Sequence, residues 1–404
     1  MVTQSIKNKI SELFNSTPKD VGVGFGKKIK NDQYTGDLSI IFFVDKKKSK
    51  DELKENEILP SSVEIDGITY QTDVIETEGA NTLVCDPPVS TDCYSYTSDD
   101  FTYRPIRGGI SITSYNNRSS LGTLGLIAVD SESQSLVGLT NNHVVIKNAF
   151  YTHYQNLYGS YDNEVNDRVY QSAFRVGDPV YEIGRVLRYE PIRPIGNGQN
   201  TIDAAIFSVS SSVIDINQSY KQRGITGFTT PLPFATTSEI DNLLSTDPPL
   251  LSVGRTTGPK EGYPCGLDTF SLGVTLYIAF NMQGYSVTTE FTDVIGFRRI
   301  NPDCLYPVAP GDSGSALIAN FGGTYKIIGL VFALSGNAKT GYACRIDNIA
   351  SNLGIEAWTG GTKNFIDPNS IELITTPGKS LDKTITCSGK TFYQVGFTTI
   401  NTPC

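Results

Sequence analysis

The stretch Ala309–Ile318, APGDSGSALI, sets one serine among small residues and a single aspartate. A serine hydroxyl is a weak nucleophile at neutral pH: it needs a base to take its proton and a third group to hold that base in one tautomer. Gly311 and Gly314 flank Asp312-Ser313, and glycine lets the backbone turn its N–H groups toward a developing oxyanion where a side chain would obstruct. Gly311 and Ser313 are the expected donors of such an oxyanion hole. The base has two candidates, the only histidines of the chain. His143 follows the apolar run of VGLTNNHVV, whereas His153 lies in the Tyr-rich polar stretch FYTHYQNLYG; a rigid strand end positions a base better, which favours His143. For the orienting acid, Asp203 of NTIDAAIFSV enters an apolar strand, while Asp162, Asp167 and Asp178 lie in charged or turn-like surroundings. Taken alone, Asp203 reads equally well as a turn residue at a strand start, and GDSG alone as a glycine-rich turn capped by a serine.

These three groups need a scaffold. The chain has 404 residues, enough for two or three domains, and 38 Gly, 21 Tyr and 19 Phe lean toward turn-rich β-structure. Residues 1–78 read as a small α+β domain. Ile6, Ile10, Leu13 and Phe14 share a helical face; VGVGFGKKI and GDLSIIFFVDKK are strands; DELKENEIL is a short helix; and a hairpin turns at Asp66-Gly67. The glycines Gly22, Gly24 and Gly26 are spaced G-x-G-x-G with no helix after them, so a flexible strand end explains them better than a nucleotide loop. Residues 79–104 are polar and aperiodic, the character of a linker. From 105 to 358 short β-rich runs recur between Gly, Asn, Asp and Pro clusters, with one helix at TSEIDNLLS capped by Thr237 or Ser238. Residues 359–404 form a β-rich C-terminal extension.

The 33 basic and 42 acidic residues leave a net charge of −9, and no basic cluster interleaved with aromatics is present, which speaks against nucleic acid as a partner. The longest apolar run, LSIIFFV, is far short of the roughly 20 residues of a membrane-spanning helix, so no membrane partner is expected. The N-terminus lacks the apolar stretch of a signal peptide, and this, with an odd count of 7 cysteines and no CxxC, leans toward a soluble cytoplasmic protein with neither a zinc site nor a disulfide framework.

LTNNHVV, IDAAIF and APGDSGSAL occur in the order His, Asp, Ser, separated by 60 residues (143 to 203) and 110 residues (203 to 313). In this order they resemble the motifs of the chymotrypsin-like (trypsin-like) serine peptidases. The resemblance implies a mainly β fold of two six-stranded β-barrels with the triad in the cleft between them, a protein or peptide substrate and no cofactor. A narrower likeness, carried by LLSVGRTTGPKEG, GDSGSALI, IIGLVFALSG and ACRIDNIASNLGI, points to a bacterial and plant branch that includes the plant narrow-leaf type with its N-terminal extension. It covers about 108–356. The chain departs from the digestive members at Val144 and Ala309, where they carry cysteine, and Asp312 must find a partner other than a freed N-terminus. No pro-segment cleavage motif is evident, so the expectation is an enzyme that folds active or one regulated by its extra domains. By the same likeness Pro307 lies at the base of the primary substrate pocket with Leu334 and Gly341 near its walls; with no acid there, cleavage after small or apolar residues is expected. The alternatives are a peptidase scaffold kept as a binding or regulatory module without turnover, and an assembly protein whose β-domains serve as contacts.

Overall fold

The computed structural model describes the chain except for residues 19, 32, 84–100, 119, 148–164, 174–175, 259–265, 283–284, 301–305, 362, 367–370, 375–380, 388–389 and 396–404. His153, Asp162 and Cys85, Cys93, Cys265, Cys304 and Cys404 lie outside the described residues. The short β-rich runs have the expected result, a mainly β chain arranged in sheets of eleven, eight and three strands.

The largest sheet contains a ring. Leu250–Ser252 pairs with Ala316–Phe321, which turns through Gly322-Gly323 into Thr324–Ser335; Thr340–Arg345, Tyr285–Arg299 and Leu267–Met282 follow in order. Leu250 opposite Leu267 then joins the last strand to the first. The N-terminal residues extend this sheet. Gly22–Lys30 pairs antiparallel with Leu267–Met282 through Val23–Thr275 and Gly26–Ser271, and Gln33–Val44, Ile68–Glu76 and Ser62–Ile65 continue outward. The helix Gln4–Ser16, capped by the Thr3 hydroxyl, buries Ile6, Ile10 and Phe14, with the Phe14 ring 4.9 Å from that of Tyr277. Asp66 and Gly67 both have positive φ, the geometry of the expected tight hairpin.

The second sheet has the order Ile355–Ala357, Leu126–Asp130, Leu136–Thr140, Ala205–Ser208, Glu182–Tyr189, Arg168–Tyr170, Ile110–Ser114 and Gly122–Leu124. Almost all of its strand residues are buried, so the usual in–out alternation is missing and the sequence reads as short apolar runs. Among the described residues its two end strands do not pair with each other. The two large sheets therefore differ from two separate six-stranded barrels: one is a ring bearing the N-terminal strands, the other an eight-stranded ladder. The C-terminal strands Ile371–Ile374, Leu381–Cys387 and Lys390–Val395 form the third sheet.

Three local expectations are adjusted. DELKENEIL folds as two separate 3₁₀ turns, Lys50–Glu52 and Glu55–Glu57, because Glu52 and Glu57 each bond back to the backbone N–H that opens their turn. The helix Thr237–Asp241 is capped by Thr236, one residue earlier than expected, with Glu239 completing the capping box. Residues 80–82, placed in the linker by their polar character, form a strand, Ala80–Thr82, whose partners are main chain on both sides. Ladder bonds use the backbone, so side-chain periodicity gave no sign of it.

The glycines at 22, 24 and 26 mark close strand approach. A Cβ on Gly26 would press into the Phe270 carbonyl and lie 2.9 Å from Ser271 Cα, and the chain runs on into another strand. Gly26→Ala is expected to lower stability by about 1–3 kcal/mol through overpacking; a urea midpoint equal to wild type would contradict this packing.

Candidate active site

The strand Leu136–Thr140 ends in a one-turn helix, Asn142–Val145, that carries His143. So short a helix leaves its carbonyls without partners of its own. Asn117 supplies them: its Nδ2 donates to the carbonyls of His143 (3.0 Å) and Val144 (3.1 Å), and the Ser120 hydroxyl donates to the His143 carbonyl at 3.0 Å. The neighbouring Asn141 reaches the other way and donates to the Asp203 carbonyl at 2.6 Å, tying the histidine segment to the aspartate segment.

Asp203 lies two residues before the strand Ala205–Ser208. Its approach is set by Asn200, whose side chain donates to the carbonyls of Arg193 and Glu290 and so fixes the incoming loop to the hairpin of the first sheet. The carboxylate accepts twice from one residue: Oδ1 from the His143 backbone N–H at 3.2 Å, and Oδ2 at 2.5 Å from His143 Nδ1. On the other side of the ring, His143 Nε2 lies 2.8 Å from Ser313 Oγ. All three residues are 0% exposed. The imidazole meets the Phe280 ring edge-on at 5.9 Å; Phe280 stacks on Phe291, which in turn meets Phe332 at a tilt. Cys344 accepts the Asp203 backbone N–H at 3.2 Å; burial, with the Asp203 charge second, raises its thiol well above the ordinary range, so it serves as a neutral packing group.

Ser313 sits in the turn three residues before the strand Ala316–Phe321, between two glycines in the left-handed region, Gly311 at φ +94° and Gly314 at φ +90°. A Cβ on Gly311 would strike Thr256 Oγ1, and one on Gly314 would strike the Thr123 carbonyl, so both positions require glycine. Asp312 finds its partners in main chain: Oδ1 accepts from Thr256 (2.9 Å) and Thr257 (3.1 Å), Oδ2 from Ala309 (2.9 Å). The RTTG segment noted in the sequence is thus the clamp on the turn that presents Ser313.

The Gly311 N–H donates at 3.0 Å to the carbonyl oxygen of Leu83, which also stands 3.2 Å from Ser313 Oγ. Pro307 is buried in the loop before Gly311, and Leu334 and Gly341 face each other across adjacent strands. Asp167 and Asp178 are engaged elsewhere, Asp167 accepting from Asn116 and Arg168 backbone N–H groups and Asp178 capping a 3₁₀ turn. No group of three or more metal-ligating side chains occurs among the described residues. Asn117, Asn200, Phe280 and Leu83 escaped sequence reading, since an isolated Asn or Leu carries no spacing signal.

Burial raises the Asp312 carboxyl above the usual carboxylate range, although its three N–H donors pull the other way. The folded chain therefore keeps this proton to higher pH than the unfolded chain, and stability falls as pH rises through that window. Asp312→Asn removes the titration and turns an NH₂ group toward buried donors. It is expected to cost about 1–3 kcal/mol at neutral pH and to flatten the pH dependence just above about pH 4. Urea midpoints across pH check this; an unchanged slope would count against it.

No family model and no curated protein matches the sequence. Among solved structures, the chain is similar to the chymotrypsin of Cellulomonas bogoriensis (15% identical, TM-score 0.36, 63% of this chain and 98% of that one). It is also similar to protease A of Thermobifida fusca (16%, TM-score 0.37, 63% and 99%) and to the Nocardiopsis protease NAPase (18%, TM-score 0.37, 63% and 99%).

Proposed function

We propose that the protein is a serine endopeptidase of the double-barrel, chymotrypsin-like type acting through a Ser-His-Asp triad. The observation that carries this reading is the continuous buried relay from Asp203 Oδ2 to His143 Nδ1 (2.5 Å) and from His143 Nε2 to Ser313 Oγ (2.8 Å). Asp203 fixes the tautomer with its proton on Nδ1, leaving Nε2 free to accept from the serine hydroxyl. Ser313 Oγ attacks a peptide carbonyl, His143 takes the proton and returns it to the leaving amine, and water then releases the acyl group. The Gly311 N–H, with that of Ser313, stabilises the oxyanion; a donor already turned inward by a positive-φ glycine needs no reorganisation when charge develops. No cofactor takes part.

Specificity for small or apolar residues before the cut is part of the same proposal, with Pro307, Leu334 and Gly341 lining the pocket. The alternative, a peptidase scaffold that binds without turnover, draws on one observation: in the intact chain the oxyanion donor is already occupied by Leu83. Turnover of a peptide with leucine before the scissile bond separates the two readings. Ser313→Ala and His143→Ala are expected to reduce kcat/KM by several powers of ten and Asp203→Asn by about four. Wild-type turnover that survives in Ser313→Ala, or its absence in both folded wild type and folded Leu83→Pro, which frees the Gly311 N–H of Leu83, would remove the peptidase reading.

A further inference from the structure

The segment Ala80–Leu83 lies in the cleft as a bound peptide would. Ala80–Thr82 pairs antiparallel with Thr324–Ser335, with Ala80 opposite Ser335, Asn81 opposite Leu334 and Thr82 opposite Ala333. One residue on, the Leu83 N–H donates to the Phe332 carbonyl at 3.2 Å. Its own carbonyl oxygen meets the Gly311 N–H at 3.0 Å and lies 3.2 Å from Ser313 Oγ, with the Leu83 side chain 2% exposed. A free peptide would have to lose its translational freedom to reach this position; here the chain has delivered it already.

The approach is fixed from behind. Gly336 donates to the Gly79 carbonyl at 2.9 Å and Asn337 to the Thr77 carbonyl at 3.0 Å, while the Asn337 side chain donates to the Glu76 carbonyl at 2.6 Å. Thr77 and Glu78 in turn donate to Val44 and Asp45, so the N-terminal strands hold the segment from one end and the oxyanion donor from the other. The direction of the ladder leaves the carbonyl of Leu83, and of no other residue in the segment, at the serine.

We propose that the chain is its own first substrate: Ser313 cleaves the peptide bond between Leu83 and Val84, and until then residues 80–83 block the cleft. The step rests on the peptidase reading above. Ser313 Oγ bonds to the Leu83 carbonyl carbon as its proton passes to His143 Nε2. The bond to the Val84 nitrogen breaks, and His143 gives the proton to that amine. One water then hydrolyses the Leu83 ester, restores the serine hydroxyl and leaves a new carboxylate at Leu83 and a new N-terminus at Val84. A leucine before the cut also agrees with the expected apolar preference.

Intact-mass analysis under denaturing conditions, with time and at several protein concentrations, tests this. Wild type is expected to convert to fragments 1–83 and 84–404 at a rate independent of concentration, and Ser313→Ala to remain whole. Leu83→Pro removes the N–H given to Phe332, so it is expected to remain whole and yet, with the cleft vacated, to react with a fluorophosphonate probe at Ser313. Wild type and Leu83→Pro that both stay whole while both react with the probe would overturn self-cleavage and leave the peptidase reading standing. Folded wild type and Leu83→Pro that both fail to react would overturn that reading and this proposal together.

Discussion

A carboxylate and an imidazole that are both fully removed from water can persist only as a pair, because an isolated buried charge costs far more than the fold can supply. Asp203 and His143 meet that condition with two bonds, one through the ring and one through the histidine backbone N–H. The second bond fixes the main chain of the histidine segment as well as its side chain, so the ring has little freedom left. Asn141 and Asn117 add main-chain anchors on either side, and Ser313 then needs only to be brought to Nε2 from the other sheet. The three residues thus span both large sheets, with His143 and Asp203 on the eight-stranded ladder and Ser313 on the ring.

The ring also reaches into the ladder. Its long hairpin supplies Phe280 against the imidazole and holds Asn200, three residues before Asp203. The same hairpin pairs with the N-terminal strand Gly22–Lys30, and through its neighbours this sheet carries the chain to Leu83 at the Gly311 N–H. One sheet therefore carries Ser313, packs Phe280 against the His143 ring and brings the Leu83 carbonyl to the Gly311 N–H. That continuity gives the N-terminal strands a mechanical relation to the site that an appended domain on a free linker would lack.

Much of this was legible in the sequence, and the pattern of what was not is physical. GDSG announced itself because two positive-φ positions admit only glycine, and the scarcity of histidine left one candidate on a strand end. The helix at residues 4–16 and the Asp66-Gly67 turn followed from local periodicity and turn chemistry. The strand at 80–82 did not, because its partners are backbone groups more than 190 residues away and its side chains are small and polar. For the same reason the seat of Leu83, with its carbonyl against the Gly311 N–H and Ser313 Oγ, was invisible in the sequence. Asp312 illustrates a middle case: its type and position foretold a buried carboxylate in need of a partner, and only the fold showed that three backbone N–H groups fill that role.

The central claim is that Ser313, His143 and Asp203 act as one unit, and it is tested most directly by combining their substitutions. Residues that serve a single relay lose their contribution once, so the triple variant Ser313→Ala, His143→Ala, Asp203→Asn should show a kcat/KM within a few-fold of Ser313→Ala alone. Losses that instead multiply from single to triple variant would mean three independent contributions, and the relay drawn from these distances would be wrong.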